Sequence, residues 1–225
     1  MVRRADQLHL HEEILLLALE DRTGTFHWKS YKPAVGAAIL AELLLEDRLE
    51  VVRDRDRDFV EVRDDEPLGC PTLDEALERI ATSGRRATLK DWVSRLANGK
   101  DLQHGIAREL ARRGIVRVDE KSVLLFFRKK VYPEVNPIPE RRLVTRLEKA
   151  VFGEGSVDAR TGVVVALAHA AELLSIPFEK DRLKKRKDRL DKIVESSEVG
   201  EAMREVIEAI QTMVVVSIAT SAAVR

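Results

Sequence analysis

The chain has 225 residues, 35% of them charged, and its 39 Lys and Arg balance 39 Asp and Glu. Such a length can bury a substantial core, and zero net charge argues against a dedicated non-specific nucleic-acid binder. Cys70 is the sole cysteine, which excludes an intrachain disulfide and fits a reducing compartment.

Met1 to Gln7 is polar and the apolar segment after it contains Glu12 and Glu13, so no secretory signal is expected. Leu10 to Leu19 reads as a helix apolar almost all round. Its two glutamates lie in the first turn, opposing the helix dipole, and Asp21 to Gly24 ends it. Pro33 opens a second helix that runs to about Glu46. Leu49 to Arg53 and Phe59 to Arg63 read as Val-rich strands around a charged tip. Thr72-Leu73-Asp74-Glu75 has the capping-box form, predicting a helix from just after Thr72 to near Gly84. Thr88 caps the next helix, which carries Trp92 and ends at Asn98-Gly99. Asp101 to Arg113 forms another, stopped by Gly114.

Val123-Leu124-Leu125-Phe126-Phe127 then runs directly into Arg128-Lys129-Lys130. A helix–turn–strand signal from Ala107 to Val118 and a polar break, Asp119 to Ser122, precede it. The apolar run therefore reads as the second arm of a β-hairpin. Apolar side chains beside cations suit the boundary of an anionic membrane, where hydrocarbon burial and headgroup attraction act together. A strand buried on both faces, with its basic end in solvent, is the alternative.

Pro133, Pro137 and Pro139 mark a loop. Helices follow over about Pro139 to Phe152, Asp158 to Leu174, Phe178 to Val194 and Glu198 to Ala223. The apolar run Met213 to Ala219 is too short for a span, which needs about 20 apolar residues, and reads as a helix hidden in the core. The expected architecture is mainly α, a single domain over 1–225 with two small β-hairpins, soluble, with any membrane contact peripheral. Ala38 to Val52 and Ile106 to Val118 echo each other as helix, turn and strand. That order is also found in a winged helix, and the reading stays open.

Chemistry-bearing patterns are sparse. No nucleophile elbow, P-loop, dinucleotide fingerprint or HExxH helix occurs, so no enzyme and no cofactor are expected. His9 and His11 stand two apart, whereas a helix brings together i and i+4, and no further cluster completes a metal site in the sequence. His169 lies among alanines and leucine as a core histidine. Cys70 has no cationic neighbour to lower its thiol pKa. Asp54, Asp56 and Asp58 alternate like a calcium loop, but Phe59 stands where Gly is needed and Arg53, Arg55 and Arg57 neutralise them. The basic run Arg182 to Lys187 reads mostly as a solvated helix face, with Leu183, Leu190 and Ile193 on the other side.

Several segments in order resemble the Golgi phosphoprotein three family. They are Leu10 to Leu19, Gly24-Thr25-Phe26-His27-Trp28, Ala37 to Leu43, Leu73 to Leu77 and Asp91-Trp92. Leu110 to Gly114, Leu124-Leu125-Phe126, Leu167 to Ala170 and the C-terminal apolar helix complete the set. The resemblance, from about Leu8 to Ala223, implies a helical globule around a buried C-terminal helix. It also implies a peripheral membrane protein that binds phosphatidylinositol 4-phosphate and inserts a hydrophobic hairpin, here Val123, Leu124, Leu125, Phe126 and Phe127 with Arg128, Lys129 and Lys130.

The family's headgroup pocket, a Trp and three Arg, suits phosphate through aromatic packing and forked hydrogen bonds. Trp28 matches the Trp, while Gly36, Lys100 and Gln103 fall where the arginines would be. Lys29, Lys32 and Arg108 are candidate substitutes, and the expected site is Trp28, Lys32, Lys100 and Gln103. Fewer arginines favour a phosphodiester or a generic anionic surface over a phosphomonoester. With only Arg3 and Arg4 ahead of the first helix, a prokaryotic member at the cytosolic face of a membrane is expected. Two rival readings remain. One is a winged-helix nucleic-acid binder with Ile106 to Arg113 as recognition helix. The other is an adaptor for a protein client, whose hairpin pairs with a second copy to form a homo-oligomer.

Overall fold

Apolar residues on every side of Leu10–Ala18 leave this first helix, α1, no face for solvent, and all nine residues are buried. A computed structural model describes residues 7–20, 23–26, 31–123 and 127–195, with backbone alone at 121–123 and 127–129. Around α1 pack α2 (Tyr31–Leu45), α5 (Leu102–Arg112), α6 (Ile138–Phe152) and α7 (Ala159–Ala170). Glu12 and Glu13 do lie in the first turn, but they are not solvated. Glu12 Oε2 accepts the His9 N–H at 2.7 Å and pairs with Arg113 at 2.7 Å; Glu13 pairs with Arg146 at 2.7 Å. Desolvation pushes both carboxyls above their ordinary range, and the arginines partly restore them. From α2, Glu42 accepts the Leu10 N–H at 2.6 Å and a fork from Arg160 at 3.0 Å. Three buried carboxylates thus tie α5, α6 and α7 to the central helix pair.

The first hairpin forms as expected, β1 (Leu49–Asp54) pairing antiparallel with β2 (Arg57–Val62), with Val51 opposite Val60. A short strand that sequence periodicity cannot flag, β3 (Ala87–Thr88), adds to β2. The tip, 53–57, is exposed, and Arg86 reaches Asp54 at 2.8 Å, so the alternating aspartates are a solvated turn.

Thr88 caps α4 (Leu89–Ala97) as predicted, its hydroxyl accepting the Asp91 N–H at 3.3 Å. The box expected at Thr72 does not form. α3 (Pro71–Ala81) starts earlier, at Pro71, whose missing N–H costs nothing in the first turn, and ends before Gly84. Thr72 instead gives its N–H and hydroxyl to Glu109, at 3.0 and 2.8 Å. A long-range carboxylate outcompetes the local cap.

The second hairpin corrects one expectation. Asp119–Ser122, read as a polar break, belongs to strand β4 (Asp119–Val123), which pairs with β5 (Phe127–Val131). Val123 lies opposite Phe127, so the apolar run straddles the turn rather than forming the second arm. The cations Arg128, Lys129 and Lys130 lie on the returning strand. No other strand among the described residues joins this two-stranded ribbon. Val118 is not yet strand, so the internal echo holds for helix and turn alone.

The helix predicted over Asp158 to Leu174 stops at Ala170; Glu172 turns left-handed (φ 60) into a 3₁₀ turn, Leu173–Ser175. The helix predicted over Phe178 to Val194 is broken into α8 (Lys180–Lys184) and α9 (Lys187–Val194). Arg186, at the break, donates to Val151 and Gly153 carbonyls at 3.0 Å, closing the end of α6. Arg182 stacks 4.3 Å over Phe152. Of the basic run, Arg182, Lys184, Lys185 and Lys187 remain exposed. Leu190 and Ile193 are buried, as their spacing implies. His169 is half-buried, and desolvation lowers its pKa from the ordinary value. The C-terminal helix expected over Glu198 to Ala223, and with it the run Met213 to Ala219, lies outside the described residues.

Candidate functional site

The root of the second hairpin is where the cations meet. Tyr132, directly after β5, is buried and gives its N–H to Gly24 O at 2.8 Å. Gly24 adopts φ 62, and an added Cβ would fall on the Tyr132 and Pro133 backbone, so only glycine permits this approach. Two residues on, Phe26 stacks on Tyr31 at 4.8 Å and tilts toward Tyr132 at 6.1 Å. The Tyr132 hydroxyl hydrogen-bonds His104 Nδ1. The Gly24–Phe26 motif, the start of α2, the first turn of α5 and the residue after β5 therefore meet at one place.

His104 reports the field there. Burial lowers its pKa first; Lys130 lowers it next, Asp101 opposes them, and Arg108 and Lys32 lower it further. Three exposed cations from α2, α5 and β5 thus act on one imidazole, with Asp101 the nearby counter-charge. Burial also raises the Tyr132 hydroxyl, against the pull of Arg108. Along α5, His104 and Arg108 stand one turn apart and share a helix face. Arg108 also lines a concavity of about 100 Å³ between α3 and α5, with Lys100, Arg79, Glu75 and Asp101. Asp101 is left-handed there (φ 58), at the N-terminal end of α5.

A protein-family model described as Golgi phosphoprotein 3 (GPP34) matches residues 10–210. The chain belongs to this family. The GPP34 match takes in every helix and strand described above, from α1 to α9. No helix among the described residues is long and apolar enough to cross a membrane. GPP34 membership is consistent with a lipid-binding peripheral protein.

Within this GPP34 chain the expected headgroup residues separate into three groups. Lys32 lies in the first turn of α2, inside the field at His104, and Lys100 lies in the concavity it shares with Arg108. Gln103 is half-buried in the first turn of α5 and does not line that concavity. Gly36 is buried where α2 meets α4, and an added Cβ would come within 2.8 Å of Val93 O and 2.9 Å of Ala97 N. No arginine could replace it without prising two helices apart, so that alignment position belongs to packing. Trp28 and the tip residues Leu124, Leu125 and Phe126 lie outside the described residues, as do the side chains of Val123, Phe127, Arg128 and Lys129.

Sequence reading missed His104 and Tyr132. The helical spacing of His104 and Arg108, with Lys100 just ahead, was a usable local signal. Tyr132 had none, since its partners are 28 and 108 residues away.

Proposed function

We propose that the protein is a peripheral membrane protein that docks an anionic phospholipid headgroup against Lys32, Lys100, Arg108 and Lys130, while the tip around Leu124 to Phe127 enters the bilayer. The observation that carries this reading is the convergence of Lys32, Arg108 and Lys130 on His104 at the root of the hairpin bearing the apolar run. Each cation near an anionic surface contributes about 1 kcal/mol, and each buried CH₂ about 0.8 kcal/mol. Neither alone anchors firmly; joined on one rigid root, they act on the same bilayer. Trp28, which lies between Phe26 and Tyr31 in the sequence, is the aromatic candidate for packing on the headgroup. The role is binding rather than catalysis, at the cytosolic face of a membrane.

Three lysines and one arginine form a field of point charges more than a set of planar forks. The expected lipid preference follows charge: phosphatidylglycerol, cardiolipin and phosphatidylinositol 4-phosphate vesicles of equal surface charge bind within a few-fold of one another. Co-sedimentation against neutral phosphatidylcholine, at low and high salt, checks this. Binding that is equal on neutral and anionic vesicles at low salt would overturn the reading. A strong preference for phosphatidylinositol 4-phosphate at matched charge would instead show a shaped pocket.

Binding should also tighten with acid. The His104 pKa lies below its ordinary 6.5 in the free protein, so the ring is neutral at pH 7. The Tyr132 hydroxyl bonds to it, and the charges of Lys130, Asp101, Arg108 and Lys32 act on it. A bound phosphate raises that pKa, so protonation accompanies docking. Affinity for anionic vesicles then rises as pH falls from 7 toward 5, by at most about tenfold per unit. His104→Gln should flatten this slope, and a slope unchanged in that variant would contradict it.

A second reading is pairing with another copy through the ribbon, which no other strand among the described residues joins. Light scattering without lipid separates the two: Phe126→Ser/Phe127→Ser dissociates an oligomer only if the tip is a protein contact. Arg113 of the helix read as a recognition helix turns inward onto Glu12, which weakens the winged-helix alternative.

A further inference from the structure

Away from the cationic root, three buried side chains from three elements converge. His11 comes from α1, Cys70 precedes α3 as its N-cap, and Glu109 comes from α5. His11 is fully buried, and Cys70 and Glu109 are 6% and 7% exposed. His11 Nε2 lies 3.6 Å from Glu109 Oε2 and 3.9 Å from Cys70 Sγ, and that sulfur lies 3.6 Å from the same oxygen.

These separations are too long for good hydrogen bonds between nitrogen and oxygen. The imidazole, removed from water, makes no polar contact shorter than these among the described residues, and its Nδ1 has no partner at all. A point equidistant from three atoms so spaced lies about 2.1 Å from each. Zinc bonds nitrogen and oxygen at about 2.0–2.2 Å and sulfur at about 2.3 Å. The imidazole and carboxylate stand too far apart for a good direct hydrogen bond, the thiol contacts are weak ones, and all three atoms stand at a spacing that suits a shared cation. The carboxylate is also oriented. Thr72 donates its N–H and hydroxyl to Glu109 Oε1, leaving Oε2 for the centre, as outer-shell partners of metal ligands do.

We propose that His11 Nε2, Cys70 Sγ and Glu109 Oε2 form a zinc-type divalent metal site that cross-links α1, the start of α3 and α5. The mixed nitrogen, sulfur and oxygen set suits zinc or cobalt(II) and disfavours magnesium and calcium, which take oxygen ligands. Without metal, burial holds Cys70 as a thiol, its pKa pushed up to about 12. Metal entry forms a metal–sulfur bond and releases that proton to solvent, with no change of oxidation state. Glu12, itself paired with Arg113, is the other carboxylate whose charge acts on the thiol. The site stands independently of membrane docking.

Cys70 is the only cysteine, so a thiolate-to-metal absorption band reports this position alone. The test uses the full chain, free of any histidine tag and stripped with chelator, titrated with cobalt(II) and then zinc. The expected result is a near-ultraviolet thiolate-to-cobalt band that saturates at one equivalent and is lost on adding zinc. Zinc at a hundredfold over its Kd should raise the thermal midpoint by about 5–10 °C. Cys70→Ser and Glu109→Gln, checked for native circular dichroism, should lose the zinc shift, and Cys70→Ser should lose the band. Absence of the band in folded wild type, or a zinc shift unchanged in both variants, would overturn the proposal.

Discussion

Replacing Arg160 with leucine destabilises the fold by about 3–5 kcal/mol, the cost of taking its forked guanidinium from a buried carboxylate. The Glu42 side chain is fully buried, and Arg160 meets both of its oxygens at 3.0 Å while also holding the Leu8 carbonyl at 2.9 Å. Without the guanidinium, Glu42 still accepts the Leu10 N–H at 2.6 Å and lies 3.3 Å from His9, but neither is a forked cation. Domains of this kind have about 5–15 kcal/mol in total, so the loss is a large share. Denaturant unfolding should show it as a fall in midpoint at unchanged slope. The double variant Glu42→Leu/Arg160→Leu should recover much of the loss, because it removes both charges. A single variant within 1 kcal/mol of wild type would mean that the pair is not desolvated.

Gly24→Val carries a comparable cost and a second consequence. The position needs φ 62, which costs a β-branched residue roughly 1–2 kcal/mol, and the new side chain would meet the Tyr132 and Pro133 backbone. Overpacking of this kind adds roughly 1–3 kcal/mol. The strain falls on the hydrogen bond that fastens the Gly24–Phe26 motif to the root of the hairpin. Vesicle binding should therefore drop even at temperatures where circular dichroism shows the variant folded. Gly114→Ala serves as a control. Gly114 is also left-handed (φ 67), but an added Cβ meets nothing within 4 Å. It should lose stability and keep binding.

Much of this architecture was legible because the signals are local. Thr88 and Asp91 cap α4, and Gly114 ends α5 with Ile115 bonding back to Leu110 at 3.0 Å. A hairpin containing the apolar run was expected too, but its polar break Asp119–Ser122 proved to be the first strand. Several of the failures share a cause, which is that distant charged groups decided the outcome. Thr72 abandoned its cap for Glu109, and Arg186 split a helix to close another. Glu12 and Glu13 resembled a solvated helix start until Arg113 and Arg146 arrived from about 100 and 130 residues away to bury them. The site followed the same rule. Lys32 and Arg108 were visible as cations, but their convergence on His104 and Tyr132 is a product of topology. The tight packing at Gly36 was invisible for a related reason, since helix packing leaves no mark on a single sequence.

The account rests on charge at the hairpin root and apolar surface at its tip engaging one membrane together. Partitioning onto phosphatidylglycerol vesicles should be measured for wild type, Lys32→Gln/Arg108→Gln/Lys130→Gln, Phe126→Ser/Phe127→Ser, and the two sets combined. The expected result is a marked loss in each set, a loss of salt dependence only where the cations are removed, and binding near background in the combination. Wild-type affinity in the root variant, or in the tip variant, would contradict the account.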